Sequence, residues 1–458
     1  LAKHITSTKL GLVTNSSLFR TPDGRNHVVV FGLVSSLFFL WALCNGMIDV
    51  MDKHFQDFLH LTKAQSAWVQ FAHYLGYFLM ALPAGWIARK LGYKGGILVG
   101  LATVAAGCLW FIPATRISTF WAFLLGVCVI SMGLTFLETI ANPYATVLGD
   151  SRHAAVRINI AQSFNGVGWI LGPIIGGLFF YSEHGAEAAQ QTLWIPYAGI
   201  AAGVGLLAVV FWFVRLPEIT PVDHFGNGRG ASPEKSIWRC PHFVLAVPAQ
   251  FFYVAAQAGI FAFFINYVVS EIPAVGAAWC ESFWLGGSAG VTQRDGDWFV
   301  SEQGATKLLA YFGFTLFLLG RASGSWILSK FPAGAVMGTY ATANVLLMGV
   351  IALKLGWISL VALFLSFFFM SIMFPTIFAL GIHGLGEKSK TAASFIVMAI
   401  MGGALVPKLM GWVGDVRGMS AAFLVPLGCF VVVAAYGFLW PRLSGSTGKM
   451  RLSGPASH

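Results

Sequence analysis

Two acidic side chains, Asp49 and Glu138, lie inside stretches apolar enough to cross a membrane. An ionised carboxylate there costs several kcal/mol unless it takes up a proton, so such a group marks an ion or proton path. Asp49 sits in FFLWALCNGMIDVM and Glu138 in GLTFLETIANPYATVLGD, both among amides, aromatics and glycines. Residues three, four or seven apart share one face of a helix, and several spans carry polar faces of this kind. Trp41, Asn45 and Asp49 recur on one; Thr135, Glu138 and Asn142 on another; Asn159, Gln162 and Asn165 on a third. Gln70, His73 and Tyr77, and Gln250, Tyr253 and Gln257, form two more.

This mixture suits a sugar. Hydroxyls need donors and acceptors in a dry cavity, and the C–H face of the ring stacks on Trp or Tyr. A cationic solute would call for several acids and few amides. Glu138 and Asp49 are therefore the candidate proton-coupling residues, and Trp41, Asn45, His73, Asn142, Gln162, Asn165, Tyr253, Gln257 and Phe374 the candidate substrate contacts. Asn159, Gln250 and Tyr77 fit interhelical packing better, since amides and hydroxyls also join helices. His73 has two readings, a proton shuttle or a hydrogen-bonded neutral imidazole. Lys408 shares a face with Asp415 and is expected to pair with it or to snorkel.

The elements that must hold these residues are long and apolar. The chain has 458 residues, 57% hydrophobic and 10% charged, against roughly 25% charged for soluble domains. Segments of about 20 apolar residues fall at 28–51, 65–88, 95–113, 118–147, 156–181, 193–214, 241–269, 305–329, 333–353, 357–382, 391–414 and 420–440. The expectation is an all-α membrane protein of twelve transmembrane helices in two pseudo-symmetric six-helix bundles. The expected division is a cytoplasmic tail 1–27, a first bundle 28–215, a cytoplasmic linker 216–240, a second bundle 241–441 and a cytoplasmic tail 442–458. Pro143 with Leu148 and Gly149 recurs as Pro375 with Leu380 and Gly381, at the same spacing. Parallel repeats of this kind, with a site at their interface, are the major facilitator arrangement.

Aligning the repeats puts Met370 opposite Glu138, Phe374 opposite Asn142 and Phe261 opposite Asp49. Titration then belongs to the first half, and Tyr253, Gln257, Phe374 and Asn266 form a passive wall. Basic residues gather on the loops that become cytoplasmic when the N-terminus is inside, as the positive-inside rule requires. Gly320-Arg321 with Lys330, and Glu387-Lys388 with Lys390, read as such inner anchors. The stretch 271–304 reads as an external solvated loop, with a partial lid as the alternative. The first span lacks a cleavage site and reads as a retained helix. Scattered cysteines imply neither disulfide nor metal site, and no compact basic domain is present for nucleic acid. An intramembrane enzyme lacks its nucleophile–base pair or HExxH cluster, and a channel lacks a filter-like run.

The stretches FFLWAL with Asp49, PAGWIARKLGYKGGI, LETIANPYATVLG, RINIAQSFNGVG, AQFFYVAAQ, GRASGSWILSKF and FPTIFALGI with SFIVMAIMGG resemble the fucose–galactose–glucose:proton symporter family of the major facilitators. The resemblance implies a monomeric sugar:proton symporter of the bacterial inner membrane, with the proton as coupling ion and no cofactor. It implies that Asp49 and Glu138 couple the proton and that Gln162 and Asn165 contact sugar. Glu138, where glucose/galactose members tend to carry glutamine, leans toward the fucose-type branch. Gly46 and Ile48 stand where that branch has further amides, Phe374 replaces an aromatic hydroxyl and His73 a phenylalanine, each removing or moving a sugar contact. Gly85, Arg89, Lys90 and Gly92 match the family's gating loop, with Arg89 in the usual aspartate place. The competing reading is an uncoupled carrier or exporter of another polar solute or glycoside on the same fold.

Overall fold

The computed structural model describes residues 18–20, 25–149, 154–180, 193–217, 236–276, 290–383, 385 and 389–444. Most of the 216–240 linker and of both tails, together with Arg152, Glu387 and Lys388, lies outside the described residues, as do the side chains of Arg89, Asn159 and Lys390.

Hydrophobic runs with internally satisfied backbones fold as helices, the form that spares every amide an exposure to lipid. The first half comprises α1 (Val28–Leu59), the short α2 (Lys63–Ser66), α3 (Trp68–Ile117), α4 (Phe120–Val147), α5 (Ala154–Phe180) and α6 (Trp194–Phe213). At 50 residues, α3 would be about 75 Å long, more than twice the roughly 30 Å hydrocarbon core. It is two crossings joined at Gly92, whose φ of 71° and ψ of −177° lie in a region open essentially to glycine alone. Eleven segments are apolar enough to span by length and composition; the leading, more polar part of α3, with Gln70 and His73, supplies the twelfth crossing.

The second half comprises α7 (Pro241–Ala262), α8 (Phe264–Glu271), α9 (Glu302–Leu308), α10 (Thr315–Lys330), α11 (Ala333–Ala352), α12 (Trp357–Met370), α13 (Met373–Ile382), α14 (Ser389–Met398), α15 (Gly402–Arg417), α16 (Met419–Ala422) and α17 (Leu424–Leu443). Five of the expected spans are interrupted. Pairs α7/α8, α12/α13 and α16/α17 interrupt single crossings; a π-helical turn, Leu309–Phe314, links α9 to α10, and a 3-10 turn, Ala399–Met401, links α14 to α15. Part of the expected 271–304 loop is a hairpin, β1 (Val291–Arg294) with β2 (Asp297–Val300), to which Val275 is bridged at Trp298.

Small residues set the spacing inside the first half. A Cβ on Gly46 would lie 2.9 Å from Pro173 Cδ and 3.3 Å from Gly172 Cα, so α1 and α5 are nearly in backbone contact there. Arg157 is fully buried, and donates to the carbonyls of Ala145 at 3.2 Å, Gly149 at 3.4 Å and Leu18 at 3.0 Å. It meets the carbonyl end of α4, where a cation is favoured.

The two halves clasp on the face opposite the chain termini. Asp415 of α15 accepts from the backbone N–H groups of Lys63 and Ala64, each at 3.0 Å, and so caps α2 of the other half. Asn266 Nδ2 donates to Gln56 Oε1 at 2.5 Å, and Lys53, paired with Asp57, reaches Glu302 at 3.9 Å. Lys408 therefore does not pair with Asp415: its ammonium stands 3.9 Å over the Trp68 ring.

Candidate functional site

The polar face expected on α1 exists and is longer than expected. Asn45 Nδ2 donates to the Trp41 carbonyl at 2.8 Å, and the Trp41 indole N–H donates to the Tyr77 hydroxyl of α3. One turn on, the Gln70 amide donates to Asp49 Oδ1 at 3.0 Å and to Asp52 Oδ2 at 3.4 Å. Another turn on, Gln56 Nε2 donates to Ser66 Oγ at 2.8 Å. Asn45, Asp49, Asp52, Gln56 and Gln70 are all buried.

Glu138, on α4, is half-buried. The Trp41 indole adjoins its carboxyl, and Tyr77, Tyr74 and Arg321 lie within its electrostatic reach. Asn142, half-buried, donates from Nδ2 back to the Glu138 carbonyl at 3.0 Å. His73 is buried, with Nδ1 2.6 Å from Ser131 Oγ and its ring against Tyr74 and Tyr77. Ser131 Oγ itself donates to the Val127 carbonyl, so His73 Nδ1 carries the hydrogen of that bond. Of the two readings of His73, this geometry is the hydrogen-bonded imidazole between helices.

Across the boundary between halves stands a side chain the sequence reading assigned elsewhere. Arg321 of α10, expected as an inner-face anchor, points inward among the site residues. Its Nη1 donates to Gln162 Oε1 at 2.8 Å and to Asn165 Oδ1 at 3.4 Å, and its Nε to the Ser371 carbonyl at 3.4 Å. The guanidinium also lies 4.9 Å over the Phe317 ring and within electrostatic reach of Glu138 and Tyr253. The spacing of Gln162 and Asn165 on α5 was legible; their cationic partner was not, because it comes from a distant helix.

Apart from Arg321, the second half presents a largely aromatic wall; Asn266, expected in it, lies instead at the clasp with Gln56. Tyr253 donates to the carbonyl of Met370, the residue opposite Glu138 in the repeat, at 3.0 Å, and its ring meets Phe374 edge-on at 6.4 Å. Gln257, half-buried, follows one turn along α7. Phe261 stacks on Phe367 at 4.9 Å. Trp169, not singled out from the sequence, joins the walls: its ring is 6.1 Å from Trp41, 5.6 Å from Phe261 and 4.9 Å from Phe314. Its position one helical turn after Asn165 was the available signal.

The expected gating stretch is helical. Gly85, Arg89 and Lys90 lie on the first part of α3 and Gly92 at its break; Lys90 covers the Trp86 ring of its own helix at 4.0 Å, and Lys94 donates to the Trp212 and Val214 carbonyls of the same half.

A titratable carboxyl, amide donors and acceptors, and indole faces thus converge between the two halves, the chemistry with which a polar solute and a proton can be held. The sequence profile of the Major Facilitator Superfamily matches residues 29–407. The chain belongs to the Major Facilitator Superfamily. It is 34% identical over 449 residues to the L-fucose-proton symporter of Escherichia coli K12, covering 93% of this chain and 95% of that protein. It is 30% identical over 430 residues to a glucose/galactose transporter of Brucella abortus, covering 93% and 98%. Among solved structures it is similar to the superfamily transporter FucP in the outward conformation, with a TM-score of 0.65 at 33% identity over 91% of this chain and 99% of that one. A bacterial homologue of the lysosomal transporter Spinster, inward-facing and occupied, shares the fold, with a TM-score of 0.67 at 14% identity over 92% and 98%. As a facilitator of this kind the chain is a multi-pass membrane transporter, not an enzyme.

Proposed function

We propose that this transporter imports a sugar, a hexose or deoxyhexose such as L-fucose, by symport with a proton across the bacterial inner membrane, as a monomer with both termini in the cytoplasm. The relatives named as L-fucose-proton symporter and glucose/galactose transporter support the substrate class. The observation that carries the coupling is Glu138, a half-buried intramembrane carboxyl beside Trp41, with the Arg321 guanidinium on the other half within its electrostatic reach.

In this reading Gln162 and Asn165 serve two partners in turn. Without sugar they accept from Arg321; sugar hydroxyls compete for the same oxygens, and the ring lies against Trp41 and Trp169. Asn45, Asn142 and Gln257 complete the polar contacts, while Tyr253 and Phe374 bound the pocket. A neutral Glu138 lets the loaded site close, since an ionised one would have to be carried through a dry state. On the cytoplasmic side water returns, the proton leaves, and Arg321 stabilises the carboxylate left behind.

The test is Glu138→Gln in proteoliposomes. Gradient-driven accumulation is expected to be lost while exchange of labelled sugar persists. Full accumulation in this variant would remove Glu138 from the coupling step, and absence of sugar-induced proton uptake by the unaltered protein would favour an uncoupled carrier. Binding of L-fucose, D-galactose, D-glucose, D-mannose and N-acetylglucosamine to the purified protein ranks the substrates.

A further inference from the structure

We propose that Asp49 and Asp52 form a second proton-holding site, a carboxyl pair that shares one proton on the outer side of Glu138. The inference rests on the symport reading and deepens it, because it gives the incoming proton a place to wait before the central site.

The geometry is specific to these two residues. They lie three apart on α1, one helical turn, and one amide nitrogen, Gln70 Nε2, donates to an oxygen of each. Asp52 is fully buried and Asp49 is 6% exposed. The remaining oxygens, Asp49 Oδ2 and Asp52 Oδ1, are buried and have no hydrogen-bond partner among the described residues. A buried acceptor without a donor is costly, and two adjacent carboxylates cannot both keep a negative charge there. One hydrogen placed between the pair answers both problems: it removes a charge and gives an orphaned oxygen its donor.

No neighbouring cation does this work. Lys53 is held by Asp57 and Glu302, Lys63 by Asp415 and the Gly414 carbonyl, and Lys408 by the Trp68 ring. From α3 the titratable group facing the pair is Tyr74, in electrostatic reach of Asp49; a neutral phenol does not balance an acid. A metal ion fits poorly, because hard cations take about six oxygen ligands, whereas two carboxyls and one amide are assembled here. Among the described residues there is no cluster of three or more His, Cys, Asp or Glu that would hold one.

The position suits a relay. Gln56, bonded to Ser66 and Asn266, closes the outer end where the halves clasp. Inward of the pair come Asn45 and then Trp41 with Tyr77, which adjoin Glu138. When the clasp opens, the pair is the first buried acid inward of Gln56 on α1.

The experiment uses the full-length transporter in proteoliposomes and in detergent. Asp52→Asn keeps the shape and removes one acid; with no acidic neighbour, Asp49 is left to gather protons alone, so the pH profile of sugar uptake is expected to move to the acid side by about one unit, a tenfold change in proton concentration. Asp52→Glu is expected to restore the original profile. The infrared C=O band of protonated carboxylic acids at neutral pH is expected to lose a component in Asp52→Asn and in Asp49→Asn and to keep it in Glu138→Gln. An unchanged profile together with an unchanged band in Asp52→Asn would overturn the shared proton. Uptake driven equally well by a sodium gradient with the proton gradient collapsed would overturn the choice of ion. A band that vanishes as expected in a protein that moves sugar without protons would instead defeat the symport reading and leave the pair standing.

Discussion

Arg321 of the second half donates at 2.8 Å to Gln162 Oε1 of the first, making a charge-assisted bond across the boundary along which a facilitator must rock. The same amide oxygen is a candidate acceptor for a sugar hydroxyl. In the proposed reading the guanidinium competes with substrate for Gln162, with Glu138 within its electrostatic reach.

Replacing Arg321 separates these roles. A hydrogen bond to a charged group contributes about 1.5–3 kcal/mol, so Arg321→Gln is expected to lower concentrative uptake by at least about tenfold while exchange at equal sugar concentrations survives. Arg321→Lys is expected to recover only part, because a single ammonium lacks the second nitrogen that holds the guanidinium to the Ser371 carbonyl. Parallel uptake and counterflow assays measure the split; equal loss in both would make the residue a purely structural bridge.

Asp415→Ala removes the carboxylate that caps α2 from the other half. Loss of such a cap costs about 0.5–2 kcal/mol, which is up to roughly a thirtyfold change in the balance between states. The population open on the outer face is expected to rise, read by distances between spin labels placed on α2 and α15. Asp415→Asn is expected to lie between, since it keeps one acceptor oxygen for two amides.

Gly46→Asn tests the expectation, drawn from the resemblance, that Gly46 stands in the place of an amide. The sequence comparison reads the difference as a lost sugar contact, yet a Cβ at Gly46 would press on Pro173 and Gly172. The substitution is expected to destabilise the protein by about 1–3 kcal/mol, as overpacking does, and to lower the thermal midpoint in detergent without improving sugar affinity. A gain in affinity at unchanged stability would restore the first reading.

His73→Phe is expected to leave the pH dependence of uptake unchanged and the rate within about twofold. Ser131 keeps its bond to Val127 when the imidazole goes, so the loss is near the 1 kcal/mol of one neutral hydrogen bond. A displaced pH optimum would make His73 part of the proton path.

The polar faces were legible because helical period and depth in the membrane are written locally. Asp49, Glu138, Gln162 and Asn165 all lie on the faces their spacing implied, and the second half is apolar where the repeat alignment placed Met370, Phe374 and Phe261. What escaped was supplied from afar. Arg321 sits nine residues before the end of α10, close enough to that end to pass for an anchor, and only the packing of α10 on α5 turns it into the site. Asp52 was lost to a boundary: hydropathy ends the first span at 51, whereas α1 continues to Leu59 and keeps Asp52 buried. Lys408 and Asp415 share a helix face as the spacing said, but Trp68 and the amide end of α2 compete for them more effectively than they do for each other.

The second and third crossings have no loop between them. A single glycine, held at dihedrals that side-chain-bearing residues shun, turns the chain from one helix into the next. The relative angle of the two arms is therefore set at that one joint, by Gly92. A bulkier residue there would alter the geometry of the stroke itself, leaving every group that touches sugar or proton chemically intact.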